Sequence, residues 1–190
     1  MKAWCREHEA KAGAALEDNT VTDQLLREHR EKIQYVGCLH EQAGAIAAEA
    51  YARVNNKLGL LMVTTGPGGT NAMTGIAGAF IESTPVFVVS GQVKRLDMIN
   101  DQGIRQQGMQ EVDIISVVKP LTKYAALVDD PQMIRYHIER ALYEAMHGRK
   151  GPVWLDIPLD VQATMIDEDS LIGFTPYELP KNAGLEKKVL

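Results

Sequence analysis

Four apolar residues, Leu60-Leu61-Met62-Val63, run directly into Thr64-Thr65-Gly66-Pro67-Gly68-Gly69-Thr70-Asn71, and beyond that turn the pattern becomes helical. A continuously apolar strand is expected where both faces of a sheet are covered. A glycine-rich turn lets such a strand pass tightly into a helix. Earlier in the chain the strand-like run Ile33-Gln34-Tyr35-Val36-Gly37-Cys38-Leu39 leads through His40-Glu41-Gln42 into an alanine-rich helix over 41–55. An acid at the tip of one strand and a glycine turn at the tip of the next would meet on one edge of a parallel sheet. In open α/β folds that edge is where ligands bind.

The alternation continues down the chain. A helix is expected over 69–81, a buried strand over 86–89 closed by Ser90-Gly91, and a short helix over 113–118 stopped by Lys119-Pro120. A strand over 124–128 follows. Asp129 or Asp130 can then cap a helix that has Pro131 at its first position and ends at Gly148. The last strand spans 153–157 and is closed by Pro158. Strands alternating with helices imply an α/β class with a doubly wound parallel sheet and right-handed crossovers. Helical spacing puts Ala43, Ile46, Ala47, Ala50, Tyr51 and Val54 on one face of the first helix. It turns Ala72, Met73, Ile76, Ala77 and Phe80 inward on the second, and Ile134, Ile138, Ala141, Leu142 and Ala145 inward on the last. Residues 92–111 break the rhythm; a polar loop of that length in a compact domain is usually functional.

Both ends differ from this pattern. Thr22 to Arg30 can form a helix through Leu25 and Leu26, but residues 1–20 hold no β-branched apolar run to serve as a first strand. The chain therefore divides into an atypical segment over 1–20, a domain over 21–165 and a linker or tail over 166–190, with the first strand missing or degenerate. A chain of 190 residues, 45% hydrophobic and with a formal charge of −5, can bury one sizeable core. No basic block suggests nucleic acid or anionic lipid as a partner, and no apolar run approaches a membrane span. Two cysteines, Cys5 and Cys38, do not make a disulfide framework or zinc site, and Cys38 in an apolar strand is expected in the core. These features describe a reduced, cytoplasmic domain.

Each chemical signal alone has an ordinary explanation. A Glu in the first turn of a helix is favoured by the helix dipole. Gly66-Pro67-Gly68-Gly69 lacks the Lys-Ser/Thr of a phosphate loop and the spacing of a dinucleotide fingerprint. His40 is expected in the core or behind the site, and Gln106, Gln107 and Gln110 can be solvated loop residues. Taken in order, however, His40-Glu41-Gln42-Ala43, Tyr51-Ala52-Arg53, Thr64 to Asn71, Ser90-Gly91-Gln92-Val93, Gln110-Glu111-Val112-Asp113, Lys119 to Tyr124 and Gly151 to Gln162 resemble the pyrimidine-binding domain of thiamine-diphosphate enzymes. The acetolactate synthase-like branch is the most similar, and the resemblance covers residues 13–163.

The resemblance implies a flavodoxin-like fold and a site built around Glu41. In this family the matching Glu hydrogen-bonds a ring nitrogen of the cofactor's aminopyrimidine, and that ring then takes the proton from the thiazolium carbon. Thiamine diphosphate serves as the electron sink for decarboxylation or carboligation of a 2-oxo acid such as pyruvate. Thr64, Gly66, Pro67 and Asn71 match positions facing the pyrimidine or a dimer partner. Gln110 matches a glutamine near the reacting centre, and Met109 stands where acetolactate synthases have Phe. Relatives carry a Gly-Asp-Gly…Asn signature for magnesium and the diphosphate, and this chain does not. Holding a doubly charged diphosphate without that metal site is not expected. The domain is therefore incomplete alone and would work as a homodimer or as a hetero-oligomer with a diphosphate-binding domain that holds Mg2+. Small residues Ala43, Ala47, Ala72 and Gly75 would permit close helix approach at a dimer face or inside the domain. The alternative is a non-catalytic remnant or interaction module that keeps the dimerisation face.

Overall fold

The computed structural model describes residues 12–13, 35–100 and 103–177. Its centre is a four-stranded sheet of β3 (Gly59–Val63), β4 (Val86–Gln92), β6 (Val153–Pro158) and β5 (Tyr124–Leu127), in that spatial order and all parallel. The chain leaves β4 for the edge position of β5 and returns to place β6 between them. Two further short strands, β1 (Ala12–Gly13) and β2 (Tyr35–Val36), pair in parallel with each other, and β1 lies beside β3. A two-residue strand thus occupies the position where the sequence suggested a missing or degenerate one. The helix expected over 22–30 lies outside the described residues, as does the chain beyond residue 177.

Helices cover both faces of the sheet. On one side α1 (Glu41–Asn55), α2 (Pro67–Ile81) and α3 (Ile114–Val118) bury Ala45, Ala48, Ala72, Ile76 and Ile114 against Leu61, Val63, Val86, Val88 and Trp154. On the other side α4 (Ile134–Met146) and α5 (Leu159–Gln162) bury Ala141, Ala145 and Val161 against Phe87, Val153 and Leu155. Residues Val86 and Val88 enter the first cluster and Phe87 the second, the period-two alternation of a strand with both faces covered. Cys38 packs at the margin of the first cluster, and Ile134, Ile138 and Leu142 pack inward as their spacing predicts.

The face expected to be inward on α1 is corrected. Its buried side is Glu41, Gly44, Ala45, Ala48 and Ala52, whereas Ile46 is 46% and Val54 86% exposed. The reason is the separation between α1 and α2. A Cβ on Gly75 would lie 2.6 Å from the Ala45 Cβ, so the helices meet nearly at their backbones. Only glycine and alanine fit between them, and the larger apolar residues are left outside. Ala72 and Gly75 therefore serve internal packing, while Ala43 and Ala47 are exposed. Phe80 on α2, expected inward, is 39% exposed.

Residues 171–177, expected as part of a linker or tail, lie along α4. Phe174 N donates to Glu139 Oε2 at 2.7 Å, and the Tyr177 hydroxyl donates to Glu144 Oε1 at 2.5 Å. The Phe174 ring meets Tyr136 edge-on at 5.7 Å between centroids. No described helix is long and apolar enough to cross a membrane.

Candidate functional site

The C-terminal edge of the sheet gathers the residues singled out in the sequence. His40 caps α1: its backbone is extended (φ −151°), and its Nδ1 accepts from the Gln42 N–H at 3.2 Å. It is exposed and not in the core, because a cap must sit outside the helix barrel whose amide it satisfies. Glu41 follows as the first helical residue, where the helix dipole favours its charge. Its side chain is turned inward and only 5% exposed.

Asn71, early in α2, donates from Nδ2 to Glu41 Oε2 at 3.0 Å. Glu41 Oε1 accepts no hydrogen bond from a described residue and faces Gly68, where a Cβ would lie 3.4 Å from it. The same Cβ would come within 2.8 Å of Thr64 Cγ2, so Thr64 and Glu41 together close around that glycine. Gly66 ends the β3 turn with φ +61°, a conformation open to glycine. A Cβ there would fall 1.8 Å from the Gln110 carbonyl oxygen, so the turn and the 103–113 loop touch through backbone. Pro67 occupies the first position of α2, where its missing N–H removes no helical bond. All six expected residues are thus brought to one rim. Glu41 and Asn71 meet through side chains, Gln110 meets Gly66 through its carbonyl, and Pro67 and the Gln110 side chain are exposed.

Such a rim offers an acceptor to a hydrogen-bond donor above an uncrowded floor. One carboxyl oxygen is anchored, the other is open, and the floor beneath it lacks side chains at Gly66 and Gly68. Among the described residues no group of three or more His, Cys, Asp or Glu is placed to hold a metal ion.

Two further features were not assigned roles from sequence. Glu111 is a buried carboxylate whose Oε1 accepts from Ile99 N (2.7 Å) and whose Oε2 accepts from Gln107 N and Gly108 N (3.1 Å each). It ties residues 99, 107 and 108 of the long loop together, leaving Met109 on the outside. Within the sheet, Asp156 of β6 is 1% exposed and accepts from Ser90 Oγ and Gln92 Nε2 of β4. Burial pushes its carboxyl up to about 7, against the opposing effect of those two hydrogen bonds. The available signal was Ser90 and Gln92 two residues apart in an otherwise apolar strand, which puts two polar side chains on one buried face.

A parallel α/β sheet with an acid and a glycine turn at its C-terminal rim defines a ligand-binding α/β domain. Comparison with known proteins makes the assignment specific. The family described as "Thiamine pyrophosphate enzyme, N-terminal TPP binding domain" matches residues 8–117, more than half of the chain. Similar curated proteins include the acetolactate synthase of Arthrospira platensis, 38% identical over 148 residues (77% of this chain, 24% of that protein). The acetolactate synthase large subunit of Lactococcus lactis subsp. lactis (strain IL1403) is 40% identical over 144 residues (74% and 24%). That of Cyanidium caldarium is 39% identical over 142 residues (74% and 23%). The chain belongs to the thiamine pyrophosphate enzyme family and corresponds to its N-terminal TPP-binding domain. It spans about a quarter of the length of these curated relatives.

Proposed function

We propose that this chain supplies the pyrimidine-recognising half of the active site of an acetolactate synthase-like enzyme that acts on 2-oxo acids. The observation that carries this reading is the state of Glu41: inward, held at Oε2 by Asn71, and open at Oε1 over Gly68. Glu41, Thr64, Gly66, Pro67, Asn71 and Gln110 would line the cofactor's ring. When bound, thiamine diphosphate supplies a nucleophilic carbon and an electron sink for breaking or making the bond beside a 2-oxo acid carbonyl.

This chain's own residues have simpler tasks. Asn71 fixes the carboxyl's rotation and leaves Oε1 as the atom that would share a proton with the cofactor's ring. Gly66 and Gly68 allow the ring to approach the backbone. Gln110 closes the opposite wall, and Glu111 keeps that wall rigid by accepting three backbone N–H bonds. The diphosphate and its Mg2+ would be held by a diphosphate-binding domain outside this sequence. The exposed Ala43, Ile46, Ala47 and Val54 on α1, together with Phe80 and Ile81 on α2, form the surface by which the domain would meet a partner.

Calorimetry with thiamine diphosphate and magnesium, with and without a chain carrying the diphosphate-binding domain, tests the reading. Binding is expected only in the assembled system. There, Glu41→Gln should lower turnover by at least about 100-fold with the fold retained. Turnover near that of the unsubstituted protein would remove Glu41 from the chemistry, and failure to bind in any assembly would support a non-catalytic module.

A further inference from the structure

Beneath the rim, four buried side chains form a single hydrogen-bonded chain. Trp154 Nε1 donates to Ser90 Oγ at 2.8 Å, and Ser90 Oγ donates to Asp156 Oδ1 at 2.5 Å. Gln92 Nε2 donates to Asp156 Oδ2 at 2.9 Å. The strand register makes this possible, because Ser90 lies opposite Asp156 in the β4–β6 pairing and Gln92 follows two residues later on the same face. All four side chains are almost completely buried.

The chain reaches both walls of the site. At one end the Trp154 ring lies under the first turn of α2, its Cζ2 3.4 Å from where a Cβ on Gly69 would sit. At the other end, Gln92 Nε2 also donates to the Val112 carbonyl at 2.9 Å, while Gln92 Oε1 accepts from Val93 N at 2.9 Å. Val112 is two residues beyond Gln110, and Gln110 holds a left-handed backbone with φ +58°. For a non-glycine residue that conformation is strained by about 1 kcal/mol and persists only where its surroundings over-determine it. Gln92 is the described side chain that ties this part of the loop to the sheet. Buried hydrogen-bond chains resist the loss of single members, because an orphaned polar group in low dielectric is costly.

We propose that Gln92 and Asp156 are positioning residues for Gln110: the buried chain fixes the Val112 carbonyl and so holds the Gln110 backbone against the Gly66 turn. The importance of that position rests on the proposed role of the rim, but the clamp itself does not. Asp113 is the charged group whose field reaches Asp156, and it also caps α3 through Ser116 N at 3.1 Å. The neighbours Leu127 of β5 and Leu155 and Ile157 of β6 are apolar.

Nuclear magnetic resonance on the full chain, without cofactor, tests the clamp. The sequence has two tryptophans, so Trp154→Phe assigns the Trp154 indole N–H directly. Gln92→Met fills the same volume without donating. It should raise amide hydrogen exchange at Glu111 and Ile114 by at least about tenfold while leaving β6 amides protected. Asp156→Asn can accept from Gln92 through its amide oxygen but turns an NH2 group in place of an acceptor toward Ser90; the Gln92 contacts are kept, so exchange at Glu111 and Ile114 should remain as in the unsubstituted chain. If Gln92→Met folds and leaves Glu111 and Ile114 within about twofold, the clamp is refuted. If that variant does not fold, a pH titration of the unsubstituted chain decides. The Gln110 amide and the Trp154 indole should move with one midpoint, and both should stop moving in Asp156→Asn; independent movement refutes the clamp. Loss of cofactor binding in an intact clamp would overturn the proposed function and leave this inference standing.

Discussion

Glu41 at the rim and Asp156 inside the sheet are both buried carboxyl groups on the C-terminal side of the strands, but their surroundings differ in kind. Glu41 opens a helix, lies in the favourable field of its dipole, receives one side-chain hydrogen bond and leaves one oxygen open. Asp156 sits in the middle of a strand with both oxygens engaged and lies in the layer that also buries Trp154. The first arrangement keeps a carboxyl available to something outside the protein. The second uses a carboxyl as internal structure, and burial there favours its neutral form.

The largest expected effect separates the two acids by pH. The folded-state value for Asp156 of about 7 stands above the ordinary 3.8. Between those values the folded protein holds a proton that the unfolded chain has released, so stability should fall as pH rises through the window and level off above it. The contribution approaches about 4 kcal/mol over the full titration, from below pH 4 to above pH 7. Denaturant unfolding across that range should therefore show a steeper decline for the unsubstituted chain than for Asp156→Asn. Parallel curves would mean that Asp156 is not held neutral.

A smaller effect is expected at fixed pH. At pH 5 Asp156→Ala leaves the Ser90 hydroxyl and the Gln92 amide short of a partner in a new cavity, which should destabilise by about 3 kcal/mol. A shift in denaturation midpoint no larger than that of a surface substitution would contradict the buried network. The smallest effect belongs to the rim. Glu41→Gln keeps an oxygen for Asn71 and loses only a first-turn charge, so stability should drop by about 0.5 kcal/mol. A loss as large as that of Asp156→Ala would make Glu41 structural and erase the contrast.

Much of this could be read from residues in order. The apolar runs at 60–63, 86–89 and 153–157, separated by helical patterns, are enough to specify a parallel sheet, because only a covered strand is apolar on both sides. The meeting of Glu41 with the 64–71 turn follows from that topology, since every strand in a parallel sheet ends on the same edge. Residue type also offered Asp129 or Asp130 as a cap before Pro131, and the structure uses Asp130, which accepts from Gln132 N at 2.9 Å.

What escaped depended on distances between elements. The outward orientation of Ile46 and Val54 is invisible to periodicity, which finds a stripe but not the size limit imposed where Gly75 meets Ala45. The docking of Phe174 and Tyr177 on α4 depends on aromatic partners more than 25 residues away in the chain.

By itself the sequence determined the element types, their parallel arrangement and the edge on which the acid and the glycines lie, because local periodicity and turn chemistry act over a few residues. Only the tertiary structure decided which oxygen of Glu41 is left open, which helix faces remain uncovered, and that Ser90, Gln92, Trp154 and Asp156 form one buried chain. Those outcomes depend on strand register and helix separation, set by packing among residues far apart in sequence.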